Sequence, residues 1–201
     1  MDFEKPLLLG TANPTKVALF QDFLADLPLT LLTLTDLGIA LDVEESAPTP
    51  EANAVLKARA YFAAAHVPTF AVDAGLEIAR FPADQQPGVY VRRIRGIEAR
   101  ASDAELLAHY RAALLQIGGE SPACWVVGMA LQVDAERLVS ATYRLDGILT
   151  AQPCATLSPG APLGSLMRDV ATGRCFAEML PHERPDAAWI NAFIRQHYEL
   201  V

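Results

Sequence analysis

Cysteine is scarce in this chain: Cys124, Cys154 and Cys175 are the only three among 201 residues. Their number is odd, they stand far apart and no C-x-x-C pair occurs. The spacing points to reduced cytosolic thiols, neither a disulfide framework nor a zinc site. Long apolar runs are missing too. None reaches the ~18 residues that cross a bilayer, so no membrane partner is expected. The start, Met1-Asp2-Phe3-Glu4-Lys5-Pro6, lacks the basic residues and apolar stretch of a signal peptide, which points to a cytoplasmic protein. Cations are few: 16 Lys and Arg against 24 Asp and Glu leave a net charge of -8, against a nucleic-acid partner. With 20% charged and 52% hydrophobic residues, disorder is excluded. The length allows one good core or two lobes sharing a sheet. An acidic chain can still bind a small anion where its cations converge, or hold a metal between carboxylates.

What is present begins with Leu7-Leu8-Leu9, a short apolar run that reads as a strand covered on both faces. Gly10 permits a turn, Asn13 is a good N-cap, and Pro14 suits the first helical position. A helix N-terminus with free N–H groups and Lys16 beside it is an anion site, or else an ordinary strand-to-helix connection with a solvated lysine. The spacing of Val17, Phe20, Phe23, Leu24 and Leu27 predicts a helix over 14–27, ended by Pro28. Residues 29–34 read as a strand. The acidic run 42–48 reads as a loop, by itself a solvated surface.

Thr49-Pro50 opens a second helix to about residue 65, with Asn53 and Lys57 four apart on one face. Small residues at 54, 58, 60 and 63–65 suggest close packing on a sheet. His66 reads as a helix-end residue rather than a ligand. Thr69 to Val72 is the next buried strand, with Asp73 at its end before a glycine turn. Open α/β sheets bind ligands there, although a turn aspartate can also serve its own backbone. Arg92, Arg93, Arg95 and Arg100 cluster in a cation-poor chain, so some face an anion or an acidic partner. Ser102-Asp103-Ala104-Glu105 is a capping box for a helix to about 117. Two long β-type runs, 124–133 and 137–149, form a hairpin around Asp134-Ala135-Glu136. Residues 153–164 form a proline- and glycine-rich loop. Asp186 caps a last helix with Trp189, Ile190, Phe193 and Ile194 on one face. The alternation predicts an α/β protein with a mixed sheet.

Three stretches together resemble the inosine triphosphate pyrophosphatase family of house-cleaning nucleotide hydrolases. Thr11-Ala12-Asn13-Pro14-Thr15-Lys16 resembles T-x-N-x-x-K. Glu45 to Ala58 is similar to E-T-G-x-T-F-x-E-N-A-x-x-K-A. Val72-Asp73-Ala74-Gly75-Leu76-Glu77 followed by Pro87-Gly88-Val89-Tyr90-Val91-Arg92-Arg93 is similar to D-D-S-G-L-E followed by P-G-V-Y-S-A-R. Phe176-Ala177-Glu178-Met179 resembles T-F-A-E-M. Any one motif is weak, and the ordered set is fairly specific.

The resemblance implies a single domain over 1–201: an elongated two-lobed α/β fold around a mixed twisted sheet with flanking helices, a cleft between the lobes, commonly dimeric. It implies hydrolysis of a nucleoside triphosphate to the monophosphate and pyrophosphate with Mg²⁺, or Mn²⁺ in its place. On that basis Asp73, Lys16 and Lys57 are the catalytic candidates. Thr11, Asn13, Lys16, Asn53, Lys57, Arg93 and Arg184 are candidates for substrate binding, and Glu45 and Asp73 for the metal. The chain also departs from the family pattern. Val72 stands for the first Asp of D-D, Ala52 for a Glu, with Glu44 and Glu51 as possible substitutes, and Ala74 for a hydroxyl residue. Leu163-Gly164-Ser165-Leu166-Met167 lies where F-G-Y/W-D-P is expected, Arg184 replaces a lysine, and Ala188-Trp189-Ile190 replaces S-H-R. Two readings follow: a pyrophosphatase with altered or relaxed base preference, or a catalytically impaired nucleotide- or phosphate-binding protein on the same fold.

Overall fold

The computed structural model describes residues 5–94 and 100–198. Arg95, one of the clustered arginines, lies outside the described residues. The chain is α/β, with a six-stranded mixed sheet in the order β2-β1-β3-β4-β5-β6. The strands are β1 (Lys5–Leu9), β2 (Leu29–Thr33), β3 (Thr69–Ile78), β4 (Glu120–Gln132), β5 (Leu138–Thr150) and β6 (Met167–Asp169). Among the described residues, four α-helices accompany them: α1 (Pro14–Phe23), α2 (Pro50–Ala65), α3 (Asp103–Gln116) and α4 (Pro185–His197). β1 runs parallel to β2 and to β3, and β5 is antiparallel to β6. Packing divides the chain into two compact units. One comprises 1–74, 127–143 and 181–201, the other 75–126 and 144–180.

In the first unit, Leu7, Leu8 and Leu9 are wholly buried, as a strand covered on both faces requires. Phe70 and Ala71 are neighbours on β3 and so point to opposite faces. Ala71 packs with Ala54 and Ala58 of α2 and Ala130 of β4, so α2 covers one face. Of the small residues on α2, only 54 and 58 make this contact; Ala63 and Ala64 are exposed. The approach is close enough to need glycine on β4. A Cβ on Gly128 would run into the backbone of Pro50 and Glu51. On the other face, the Phe70 ring meets Phe20 of α1 edge-on at 5.6 Å and Phe193 of α4 at 6.2 Å. The Tyr198 hydroxyl donates to the Pro6 carbonyl at 2.7 Å. That contact pins the end of α4 to the start of β1.

Several expectations need correction. α1 stops at Phe23, four residues early, because Leu24 takes a non-helical cap conformation. Asp186 does not cap α4. Arg184 holds that position with no side-chain cap, and Pro185 is the first helical residue. Trp189 is 58% exposed and off the core face that Ile190, Phe193 and Ile194 form, and its ring stacks on Tyr143 at 5.9 Å. His66 does end α2, in the left-handed conformation at φ 54°.

In the second unit, Ser102 and Glu105 form the expected capping box of α3. β6 has no legible signature in the sequence, since its three residues carry too little pattern. The largest correction is chemical. Cys154 and Cys175 form a disulfide across 21 residues, and only Cys124 is a free thiol. Wide sequence spacing hid the pair because β6 folds back after Asp169 and returns Cys175 beside the 153–166 loop. Gly173 at φ 70° makes that return, and its amide donates to the Asp169 carbonyl at 2.8 Å.

Candidate functional site

The site grows from the way β1 and β3 part. Their parallel register ends at Leu9 and Phe70, where the Gly10 amide donates to the Phe70 carbonyl at 2.7 Å. β1 then turns into α1, while β3 runs on to Ile78. Asp73 is therefore inside a strand and not at its end before a glycine turn. Gly75 is extended too, and Leu76 bridges Gly88 through two backbone hydrogen bonds of 2.9 and 3.1 Å. The continuing alternation of buried Leu76 and Ile78 around exposed Glu77 carries the strand through. Asp73 nonetheless stands just past the parallel-paired stretch, where the neighbouring strand has left and polar groups can be lodged.

Asp73 shares the face of Ala71, toward α2. Asn53 and Lys57, four apart on that helix, meet it. The Lys57 ammonium donates to Asp73 Oδ1 at 3.1 Å, Glu45 Oε1 at 3.0 Å and the Val72 carbonyl at 2.8 Å. Its three N–H donors match those three acceptors. Asn53 Nδ2 donates to Asp73 Oδ2 at 3.0 Å, and Asn53 Oδ1 accepts the Ala47 amide at 2.9 Å. Asn53, Lys57 and Asp73 are at most 7% exposed, while 39% of the Glu45 side chain is open. The acidic loop is thus tied down at Glu45 and Ala47 over one buried carboxylate. Sequence reasoning placed these four residues at one site. It did not show that Lys57 is spent on carboxylates, because a lysine's partners are not written in its spacing.

Glu51, a possible substitute for the residue that Ala52 replaces, is turned elsewhere. Its carboxylate accepts Ser140 Oγ at 2.6 Å and Thr142 Oγ1 at 2.8 Å. Ser140 chiefly, then Thr142, holds its acid below the ordinary range against a smaller opposing effect of burial. Val72 is 4% exposed, with its side chain in the core. Glu44 is exposed and, among the described residues, joins no ion pair.

At the start of α1, Asn13 Oδ1 accepts the Thr15 amide at 3.0 Å and the Lys16 amide at 3.5 Å, and Thr11 Oγ1 accepts the Asn13 amide at 3.2 Å. The helix start is therefore largely capped by its own side chains. Among the described residues, the Ala12 amide has no partner. An open groove of about 520 Å³ lies beside it, lined among others by Thr11, Pro14, Thr35, Asp42 and Tyr61. The Tyr61 hydroxyl donates to the Leu41 carbonyl at 3.3 Å. Burial first, then Asp42 and Glu45, pushes its acidity to higher pH. Arg184 makes a two-pronged contact with Asp186 at 2.7 and 3.0 Å.

In the second unit, the Arg93 guanidinium lies over the Tyr90 ring, 5.2 Å from its centroid. Arg92 meets the expectation of an acidic partner: it donates to Asp103 at 2.8 Å and to the Gly160 carbonyl at 2.8 Å. Its role is to hold the start of α3 to the 153–166 loop. No sequence motif announced this, since 68 residues separate Arg92 from Gly160.

A model of the Ham1 family matches residues 7–184. The chain belongs to the Ham1 family. It is 38% identical over 114 residues to a dITP/XTP pyrophosphatase of Thermus thermophilus, covering 57% of this chain and 52% of the relative. The chain thus spans about half the length of the first curated relatives it matches. A dITP/XTP pyrophosphatase of Yersinia pseudotuberculosis is 31% identical over 182 residues, 89% of this chain and 88% of the relative. The solved HAM1 protein of Coxiella burnetii superposes with a TM-score of 0.74 at 23% identity, covering 96% and 99% of the two chains. The Staphylococcus aureus Ham1 protein gives 0.69 at 18% identity, again over 96% and 99%. These likenesses place the chain in the Ham1 fold, and the family resemblance read from the ordered motifs is borne out.

For a metal, this Ham1 chain offers two carboxylates, Glu45 and Asp73, bridged by one ammonium. Among the described residues, no group of three His, Cys, Asp or Glu could hold an ion. Each Asp73 oxygen accepts one donor from its neighbours and keeps a second acceptor direction. Glu45 and Asp73 could hold a hard cation such as Mg²⁺ only together with water and substrate oxygens, and not as an all-protein cage.

Proposed function

We propose that the chain hydrolyses a nucleoside triphosphate to the monophosphate and pyrophosphate. The observation that carries this is the buried Asp73 carboxylate, gripped by Lys57 and Asn53 beside a half-open Glu45. A buried carboxylate gripped by an ammonium and an amide is fixed in direction, as a group that orients or deprotonates a water needs to be. The water attacks the α-phosphorus, its proton passes to Asp73, and pyrophosphate leaves. Glu45 and Asp73 would hold Mg²⁺, which when bound neutralises phosphate charge. Thr11, Asn13, Lys16 and the open Ala12 amide bind phosphate oxygens at the α1 N-terminus. Arg93 and Arg184 supply further cationic contacts. Lys57 acts through the two acids it holds. The dITP/XTP pyrophosphatases among its relatives support this reaction class.

In this reading the two units are lobes of one domain, the protein is a cytoplasmic homodimer, and base preference is altered or relaxed. Polar groups that hydrogen-bond a base edge give strong discrimination, and the segments that would carry them are rebuilt as Leu163–Met167 and Ala188–Ile190. Pyrophosphate release with Mg²⁺ or Mn²⁺ across a panel of nucleoside triphosphates tests the reading. Turnover is expected, and Asp73→Asn should lower it by about 100-fold or more. No turnover on any substrate by clean protein would sink it.

A second reading is a nucleotide-binding protein without catalysis. It is favoured by Val72 being buried and by all three Lys57 donors being taken up by the protein. Calorimetric binding of a nucleoside triphosphate without turnover would select it. Binding undamaged by Lys16→Ala would remove the phosphate role of that lysine in either reading.

A further inference from the structure

We infer that Lys57 is a built-in cation that keeps a free divalent ion off the Glu45–Asp73 pair, so that a metal enters this site together with the phosphates of a nucleotide. The inference rests on the pyrophosphatase reading above and adds an order of binding to it. Its basis is where the ammonium stands. Lys57 Nζ lies 3.0 Å from Glu45 Oε1 and 3.1 Å from Asp73 Oδ1, between the two acids that would hold the metal. Two carboxylates and one ammonium present a single net negative charge, where the acids alone would present two. The affinity of an oxygen site for a divalent ion follows the charge its ligands bring, so the lysine lowers it.

The ammonium is held there by more than the acids. Its third hydrogen bond runs to the Val72 carbonyl at 2.8 Å, a backbone acceptor inside β3 that moves only with the strand. Lys57 is 7% exposed, and the next residue on α2, Ala58, packs with Ala54 against Ala71 of β3 and Ala130 of β4. Swinging the half-open Glu45 side chain outward therefore leaves the ammonium in place beside Asp73. Asp73 is engaged at both oxygens, by Lys57 at Oδ1 and by Asn53 Nδ2 at Oδ2, with one acceptor direction left on each. A divalent ion gains few bonds from the protein alone and depends on water and phosphate oxygens for the rest of its shell. A triphosphate also brings several negative charges of its own, which outweigh one ammonium.

Mn²⁺ binding to the intact chain, followed by electron paramagnetic resonance, tests this without turnover. In the absence of nucleotide, Lys57→Met should bind Mn²⁺ about tenfold or more tightly than wild type. Lys57→Gln, which drops the charge and keeps a donor for Asp73, should gain in the same direction. Lys57→Arg, which keeps the charge, should not. Glu45→Gln added to either uncharged variant should remove the gain, because one of the two acids is lost. Where loss of the lysine unfolds part of the protein, Mn²⁺ should raise the urea midpoint of the uncharged variants and leave that of wild type unchanged. Inorganic tripolyphosphate, which carries the phosphates without a base, should strengthen Mn²⁺ uptake by wild type.

Equal Mn²⁺ affinity in wild type and both uncharged variants would overturn the inference. So would a gain that survives Glu45→Gln or that Lys57→Arg matches. Wild-type Mn²⁺ binding that tripolyphosphate does not strengthen would overturn the order of binding. The pyrophosphatase reading fails separately, on the absence of turnover, whatever the variants bind.

Discussion

Lys57 holds three acceptors, two of them carboxylates, at a position where its side chain is 9% exposed. Removing one partner of a buried charge group leaves the other uncompensated. Lys57→Met is therefore expected to cost about 3–5 kcal/mol, measured by urea unfolding. A drop under 1 kcal/mol would mean that Asp73 is far better hydrated than its burial indicates. Glu51 offers a pH test. Its acid is depressed by Ser140 and then Thr142. A depressed acid contributes stability that is full above its unfolded pKa, about 4.3 for glutamate, and lost as the pH falls through the lower folded value. Wild type should lose stability below about pH 4.3, and Glu51→Gln should lose less over the same range. Equal slopes in urea titrations at pH 5 and pH 3 would show that these hydroxyl contacts do not stabilise the ionised form.

The element on which the site depends is α2. It carries Glu51, Asn53 and Lys57, and it sits flat on β3 and β4 because Ala54, Ala58, Ala71 and Gly128 keep the gap narrow. Thr49 fixes its start, accepting the Ala52 amide at 3.2 Å. Gly128→Ala pushes a methyl group into the Pro50–Glu51 backbone, which cannot swing aside as a side chain can. The substitution should cost about 1–3 kcal/mol in urea unfolding. It should also reduce turnover, since it displaces the helix that orients Asp73. Full activity in a destabilised Gly128→Ala protein would separate the helix position from the site. The start of α2 was legible because Thr-Pro is a strong local signal. Its inner face was only partly so, since alanines at 54 and 58 look the same in sequence as those at 63 and 64, which face water. Asp73 was legible as a site residue. Its place inside a ten-residue strand was not, because the bridge from Leu76 to Gly88 continues β3 through a glycine that reads as a turn.

For the molecule as a whole, the disulfide is the one covalent constraint beyond the backbone among the described residues. A bond across 21 residues removes loop-closure entropy from the unfolded chain, worth about 3 kcal/mol. Urea unfolding with and without dithiothreitol should differ by about that amount. Coincident curves would mean that the bond does not constrain the unfolded ensemble. By itself the amino-acid order determined the alternation of strands and helices, the caps at Asn13, Thr49 and Ser102, and the residues that gather at Asp73. Those features follow from local backbone preference and from periodicity, which act within a few residues. Only the tertiary structure decided that Lys57 serves two carboxylates, that Glu51 turns to β5, that Arg92 clasps Gly160, and that Cys154 meets Cys175. Each of these pairs is brought together by chain segments packing from far apart in sequence. The physical reason is that a polar side chain takes whichever partner the packed backbone places within hydrogen-bond reach, and no local pattern encodes that partner.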